Sequence, residues 1–317
     1  MTGVQTCALP ILTKPEYGHY KGIADFTEFM VNSVDWLYTR IEIDGEQLDL
    51  ATSEFEDFVR EIDMKTGILT RSFVWKTKSG KRLAVKFERF VSMTQVKRTT
   101  QKITIKPIGF SGEIYITSGL DFSQIHRNER KNLWYCKPGT IEKGEDIFMG
   151  IDGTTINTKL KVYSSCKVNA EYESLEEVNE EKIVAVKLKA NLEDGKDYVL
   201  TKVTNNVTLR DDGDLAVYDK EVEAVKSETE TACTLYDKLE KENIDWWKKV
   251  WDSSDITIAN DPENQQGIRF CIFRMYQTYH GAVEGTNIGA KGLTGEAYNG
   301  NAFWDTETYC LPFFIFN

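Results

Sequence analysis

The sequence is short of positive charge and has no long hydrophobic segment. Its 317 residues carry 39 Lys and Arg against 50 Asp and Glu, which gives a formal net charge of -11. Nucleic-acid binding needs clustered basic side chains that neutralise phosphates, so this balance argues against it. The apolar runs reach only about six residues, as at 311–316, whereas a bilayer-spanning helix needs ~20. We therefore expect no nucleic-acid partner and no membrane segment.

Histidine is scarce, and cysteine follows no pattern. The three histidines are far apart in sequence, and none lies in an HExxH motif. The cysteines form no CxxC pair, which is typical of free thiols in a reducing compartment rather than of a disulfide framework or a zinc site. These features predict a cytoplasmic protein without a metal site. The cysteines are Cys7, Cys136, Cys166, Cys233, Cys271 and Cys310.

Most of the first two thirds of the chain alternates between apolar and polar residues in short segments separated by turn residues. The pair Asp44-Gly45 is a strong signal for a two-residue hairpin, because glycine accepts a positive φ. So many short strands predict a large antiparallel β-sandwich. The predicted strands are 38–43, 47–50, 58–64, 69–76, 82–93, 97–108, 112–118, 155–168, 182–189 and 198–208.

The periodicity changes from strand-like to helical near Asp219. Residues 220–249 are rich in Glu, Lys and Ala and place apolar residues at helical spacing. Three tryptophans at 246, 247 and 251 predict packing of a helix between domains in preference to ligand stacking, because aromatic residues dominate core and interface burial. Asp261-Pro262-Glu263 then predicts the start of a second helix, ending near 280.

A glycine-rich loop at 281–301 leads into Phe303-Trp304-Asp305. Loops of this length are usually functional or disordered, and the glycines match neither GxxxxGK[ST] nor GxGxxG. An exposed indole and a carboxylate would suit a sugar, since one offers a flat apolar face and the other accepts hydrogen bonds from vicinal hydroxyls. Alternatively, Asp305 simply caps a helix that begins at Thr306, and the residues alone favour this simpler interpretation.

The strings 287–296 (NIGAKGLTGE) and 303–307 (FWDTE) closely resemble glycoside hydrolase family 65, the maltose, kojibiose and trehalose phosphorylases. Residues 309–313 (YCLPF) most resemble the maltose phosphorylases, whereas 299–302 (NGNA) depart from the usual family pattern. In the β-rich part, the strings that resemble the family's amino-terminal domain are 41–45 (IEIDG) and 60–67 (REIDMKTG).

The resemblance implies a β-super-sandwich, a helical linker and the start of an (α/α)6 barrel. It also implies inverting phosphorolysis of an α-glucoside disaccharide, with maltose the first expectation, to β-glucose 1-phosphate and glucose. Inorganic phosphate would be the co-substrate, and no cofactor is expected. By the same resemblance, Trp304 and Asp305 line the glucosyl subsite and Glu307 is structural support. The general-acid Glu would lie beyond Asn317, so the chain itself is expected to be inactive.

The resemblance also divides the chain. Residues 1–11 look like read-through of a sequencing adaptor and are expected to be an artefactual peptide. We then expect an incomplete sandwich domain at 12–219, a helical linker at 220–258 and the truncated first part of the barrel at 259–317. A homodimer is expected for the full-length protein. Two alternatives stay open, namely a family 65 α-glucoside hydrolase of the trehalase or kojibiose-hydrolase type, and a non-catalytic carbohydrate-binding sandwich.

Overall fold

The computed structural model describes residues 9–13, 27–127, 129–209, 213–279 and 301–316, together with 281, 289, 292 and 298. Within this part the chain forms strands first and helices afterwards. The strands are β1 Leu9–Thr13, β2 Thr27–Val31, β3 Thr39–Ile43, β4 Glu46–Gln47, β5 Glu54–Asp63, β6 Ile68–Lys76, β7 Arg82–Val91, β8 Arg98–Ile108, β9 Gly112–Asp121, β10 Trp134–Cys136, β11 Thr140–Lys143, β12 Ile147–Thr155, β13 Lys161–Ala170, β14 Ser174–Asn179, β15 Ile183–Leu192 and β16 Tyr198–Leu209. The helices are α1 Leu215–Lys226, α2 Ala232–Ser254, α3 Pro262–Thr278, a π-helical segment Thr306–Cys310 and α4 Leu311–Phe316.

Two antiparallel sheets make up the β-rich part. The larger has nine strands in the order β10-β12-β13-β16-β8-β7-β6-β5, with β11 paired to β12, and the smaller has five in the order β14-β15-β9-β3-β4. A separate pair is formed by β1 and β2. The inner faces of the two large sheets share one hydrophobic core, in which Trp36, Trp75, Ile116 and Leu188 are at most 2 % exposed. The predicted antiparallel β-sandwich is therefore confirmed.

The predicted hairpin at Asp44-Gly45 is confirmed. Ile43 pairs with Glu46, and both turn residues have positive φ, 52° at Asp44 and 77° at Gly45. This is the backbone that a two-residue type I′ turn requires, and it explains why glycine stands at the second position.

The predicted strand at 155–168 is wrong in its first third. β12 ends at Thr155, and β13 begins only at Lys161. Between them the Thr155 hydroxyl accepts a hydrogen bond from Leu160 N at 2.9 Å, while Lys159 has a φ of 60°. A local side-chain bond of this kind closes a turn in competition with the strand ladder. The strands β10, β11 and β14 and most of β12 are not among the strands that the sequence pattern predicts.

The helical pattern at 220–249 belongs to two helices. α1 ends at Lys226, and the backbone N–H and the hydroxyl of the next residue, Ser227, both donate to the Glu223 carbonyl. α2 begins after Thr231, whose side chain accepts from Thr234 N and so satisfies one of the free amides of the first turn. The sequence pattern predicts a helical linker before α3, and the structure divides it into these two helices. No helix in the described ranges is long and apolar enough to cross a membrane.

These helices cover the outer face of the nine-stranded sheet. On α2, Leu235, Tyr236 and Leu239 pack with Phe90 of β7 and Val203 of β16. α1 packs farther along the same sheet through Tyr218 and Val222. The larger sheet is therefore buried on both faces at these strands, and the helices are fixed to it.

Candidate functional site

The site segment is carried by α3, whose start the sequence predicts correctly. The Asp261 carboxylate accepts hydrogen bonds from the backbone N of Asn264 at 3.0 Å and from its side-chain amide at 2.6 Å. Pro262 occupies the first helical turn, where its missing N–H costs nothing. α3 ends at Thr278, close to the predicted end.

Aromatic stacking holds α3 against α2 and the sandwich. Trp247 is 1 % exposed and stacks on Phe273 with ring centroids 4.3 Å apart. On the other side, the Trp251 indole N–H donates to the Met64 carbonyl at 2.7 Å, at the end of β5. The tryptophans of α2 thus pack between elements, as predicted, and are not placed to stack on a ligand. Trp246 adds an edge-to-face contact with Trp247 at 4.9 Å.

A second set of aromatic contacts fixes α4 to α3. The Tyr276 ring lies 5.6 Å from Phe313 and 5.9 Å from Phe314, and Tyr279 lies 5.3 Å from Phe314. The Tyr276 hydroxyl also hydrogen-bonds the Ser254 hydroxyl at 2.8 Å, at the end of α2. The sequence marks Tyr276 and Tyr279 only as part of the apolar face of a helix. Their role in anchoring the site segment becomes visible only in the structure.

The π-helical segment lies directly before α4. Its wide turn is closed by the hydrogen bond from Leu311 N to the Thr306 carbonyl. Single π-turns within α-helices are rare and are frequent at functional sites. Partial burial raises the pKa of the Cys310 thiol, and the charges of Asp305 and Glu307 raise it further, so this thiol stays protonated near neutral pH.

The structure does not support the capping interpretation of Asp305. Its side chain makes no capping hydrogen bond, and its backbone is already helical, with φ −57° and ψ −32°. Helical hydrogen bonding begins earlier, because Thr308 N donates to the Trp304 carbonyl at 3.0 Å. A capping residue normally has an extended backbone and a side-chain oxygen on the first-turn amides. The Asp305 carboxylate is exposed and not engaged in that way.

Trp304 and Asp305 are presented to solvent from an anchored segment. The Trp304 side chain is 84 % exposed, and the preceding Phe303 is 47 % exposed with its ring 5.9 Å from that of Tyr298. The following residues are held by the contacts of Phe313 and Phe314 described above. An indole and a carboxylate on consecutive exposed positions can together take a sugar ring and two of its hydroxyls.

Two further predictions concern neighbouring residues. Glu307 is exposed in the first turn of the π-helical segment, where a negative charge is favoured by the helix dipole. Most of the glycine-rich loop at 281–301, including Thr294 and Glu296, lies outside the described residues. The geometry around Trp304 and Asp305 is therefore described from residues 301–316 and α3 alone.

A groove of about 310 Å³ lies elsewhere, between the β3–β4 hairpin and the β6–β7 turn. Its lining is polar, and Asp44 there accepts from the Ser79 hydroxyl and the Lys81 ammonium, both at 2.8 Å. These hydrogen bonds, led by that of Lys81, lower the pKa of Asp44. The lining contains no aromatic side chain on which a sugar could stack, so we do not regard the groove as the functional site.

Comparison with known proteins gives a family for nearly the whole chain. Residues 14–250 match the glycosyl hydrolase family 65 N-terminal domain, and residues 269–317 match the family's central catalytic domain. The second match includes α3, the π-helical segment and α4, and so contains Trp304 and Asp305.

Several relatives are named as disaccharide phosphorylases. The α,α-trehalose phosphorylase of Thermoanaerobacter brockii is 31% identical over 95% of this chain and 40% of its own length. The kojibiose phosphorylase of Caldanaerobacter subterraneus is 30% identical over 90% of this chain and 38% of its own length. The maltose phosphorylase of Bacillus subtilis is 29% identical over 95% of this chain and 40% of its own length.

A solved structure assigned to a kojibiose phosphorylase from the human microbiome superposes with a TM-score of 0.84 at 29% identity. The match covers 97% of this chain and 40% of that chain. The chain thus spans about 40% of the length of the relatives it matches. Because the N-terminal domain profile alone matches well over half of the residues, the chain belongs to glycosyl hydrolase family 65.

Proposed function

We propose that the protein is a glycoside phosphorylase that transfers a glucosyl unit from an α-glucoside disaccharide to inorganic phosphate. Support comes from the family and from the relatives named as trehalose, kojibiose and maltose phosphorylases. The observation in this chain that carries the proposal is the Trp304 indole, 84 % exposed beside the Asp305 carboxylate on a segment anchored to α3. An exposed indole next to a carboxylate offers a sugar both a flat apolar surface and a hydrogen-bond acceptor.

In this proposal Trp304 and Asp305 bind the glucosyl unit. The indole covers the apolar face of the pyranose, and the carboxylate accepts charge-assisted hydrogen bonds from two hydroxyls. Phosphate is already an anionic nucleophile, so the second carboxylate that inverting glycosidases use to activate water is not needed. A Glu downstream of Asn317 would protonate the leaving oxygen. The described residues therefore orient the sugar, and we assign no proton transfer to them.

The relatives differ in the disaccharide that their names give. Residues 309–313 suggest maltose, but the trehalose, kojibiose and maltose phosphorylases are similar to this chain to nearly the same degree, at 31%, 30% and 29% identity. We therefore propose an α-glucoside disaccharide as the substrate class and maltose, trehalose and kojibiose as the compounds to compare. A cytoplasmic location would suit such an enzyme.

Sugar binding by this chain can be measured through Trp304. Of the seven tryptophans, Trp304 is the exposed one, whereas the others are buried or half-buried. Acrylamide is uncharged, so it quenches an exposed indole without being repelled by Asp305. We expect the α-glucoside that is the substrate to protect Trp304 from quenching. Trp304→Phe removes this fluorophore and so identifies its share of the quenching signal, and in Asp305→Asn the sugar affinity should fall about tenfold, the value of a hydrogen bond to a charged group.

The matched control is Trp246→Phe, which removes a half-buried indole and should leave the protection intact. Quenching that no disaccharide changes, up to the solubility of each sugar, would contradict the assignment of this segment to the glucosyl subsite.

A further inference from the structure

Three arginines lie together on the inner face of the nine-stranded sheet, at its β5–β6–β7 end. Arg60 of β5 is the direct cross-strand partner of Arg71 of β6. Arg89 of β7 pairs with Leu69, two residues before Arg71 on the same face of β6. Directly opposite residues have Cβ atoms about 5 Å apart and diagonal ones about 7 Å apart, so the three side chains are neighbours. We name these three residues the arginine cluster.

Within the described ranges no member of the arginine cluster forms an ion pair, although the charge of Asp35 acts on Arg89 from a greater distance. The Nε atoms of Arg71 and Arg89 are fully shielded from solvent and have no hydrogen-bond partner. By contrast, Arg82 at the start of β7 forms an ion pair with Glu56 at 2.5 Å. Like charges placed directly opposite each other in a sheet are destabilising, so the cluster is unfavourable by itself.

The surroundings hold the cluster in place. The Arg71 guanidinium lies over the Phe87 ring, 4.6 Å from its centroid, and Phe87 stacks on Phe73 of the core at 6.2 Å. Burial and then the positive charges of Arg71 and Arg60 together lower the pKa of Arg89 to about 10, against a smaller opposing effect of the Asp35 carboxylate. A guanidinium that is fixed, half-buried and short of acceptors is a ready donor for a planar or tetrahedral anion.

We propose that the arginine cluster is a binding site for a small, multiply charged oxyanion, such as phosphate or a di- or tricarboxylate. Each guanidinium offers a planar fork of donors that matches two oxygens of such an anion. The chain as a whole carries a net charge of -11, so general attraction of anions is weak and binding at this place depends on the three arginines. This inference concerns the sandwich and does not rest on the proposed function.

Thermal unfolding of the intact chain tests the site. Phosphate, citrate and chloride are compared at millimolar concentration and matched ionic strength. At about ten times its dissociation constant, the bound anion should raise the unfolding midpoint by about 3 °C. A rise with phosphate alone identifies a phosphate-type ligand, and a rise with citrate alone identifies a carboxylate ligand. Arg71→Met and Arg89→Met should lose the shift, and Arg82→Met, which removes a paired arginine of the same strand, should keep it.

Two further measurements separate binding from a structural role. In chloride alone, Arg71→Met and Arg89→Met should unfold at or above the wild-type midpoint, because each removes a repelling charge. Arg60→Met, at an exposed position, should weaken the anion shift as well. The proposal is overturned if neither anion shifts the midpoint of the wild-type chain, if Arg60→Met responds as fully as Arg82→Met, or if the buried variants lose several degrees in chloride.

Discussion

Replacing Asn243 by leucine removes two buried hydrogen bonds between α2 and the sandwich, one to the turn after β5 and one to the turn after β7. Asn243 is 1 % exposed, its Oδ1 accepts from Met93 N at 3.0 Å, and its Nδ2 donates to the Thr66 carbonyl at 2.6 Å. A buried polar group that loses its partner costs about 1–3 kcal/mol. With two groups affected and some apolar burial regained by the leucine, we expect the free energy of unfolding to fall by about 3 kcal/mol.

The assay is urea unfolding followed by tryptophan fluorescence, with Asn191→Leu as the control at an exposed strand position. That control should change the free energy of unfolding by less than about 0.5 kcal/mol. An Asn243→Leu midpoint equal to that of the wild type would refute the view that this residue fastens α2 to the sandwich.

Asn243→Asp adds a test by pH. The carboxyl keeps an acceptor for Met93 N but places its second oxygen against the Thr66 carbonyl. Burial raises the folded-state pKa of this carboxyl above its unfolded value. The variant is therefore least impaired below the unfolded pKa, and its loss of stability grows as the pH rises through the folded pKa. We expect a larger loss at pH 8 than at pH 5, and a loss independent of pH would contradict the buried position.

Two other predictions concern a glycine and two thiols. Gly67→Ala should lower the free energy of unfolding by about 3 kcal/mol, because the residue has a φ of 73° and the new Cβ would lie 2.3 Å from Trp247 Nε1. The control Gly45→Ala, at φ 77° with open space around it, should lower it by only about 1 kcal/mol in the same assay. Burial raises the pKa of the thiol to about 12 in Cys136 and about 11 in Cys166. Alkylation at pH 8 followed by peptide mass mapping should therefore label the exposed thiols and spare these two, and equal labelling of all thiols in the native protein would show that they are not buried.

The sequence was most informative where structure depends on neighbouring residues alone. The Asp44-Gly45 hairpin and the Asp261-Pro262 helix start follow from turn and capping chemistry within a few residues, and the structure confirms both. The turn at 155–160 was missed because it depends on a single hydroxyl, that of Thr155, within an otherwise strand-like stretch. β12 also carries two glycines, which weaken a strand signal.

The site was predictable in its residue types but not in its geometry. An acid before a helical pattern suggested a cap at Asp305, yet helical hydrogen bonding begins at Trp304, and a π-turn follows. A single π-turn leaves no period in the sequence that could reveal it. The exposure of Trp304 depends on the contacts of Tyr276 with Phe313 and Phe314, which join parts of the chain more than thirty residues apart. Only the resemblance to the family pointed to the ligand-facing interpretation.

The measurement that tests the central claim most directly is a phosphorolysis assay on a protein that contains this chain and spans the full length of its relatives. Maltose, trehalose and kojibiose are supplied with and without phosphate. The account predicts that β-glucose 1-phosphate forms from one of them only when phosphate is present, with kcat/KM lowered about tenfold in Asp305→Asn, the effect of about 1.4 kcal/mol of lost binding. Glucose release that is indifferent to phosphate, or an Asp305→Asn enzyme as active as the wild type, would contradict it.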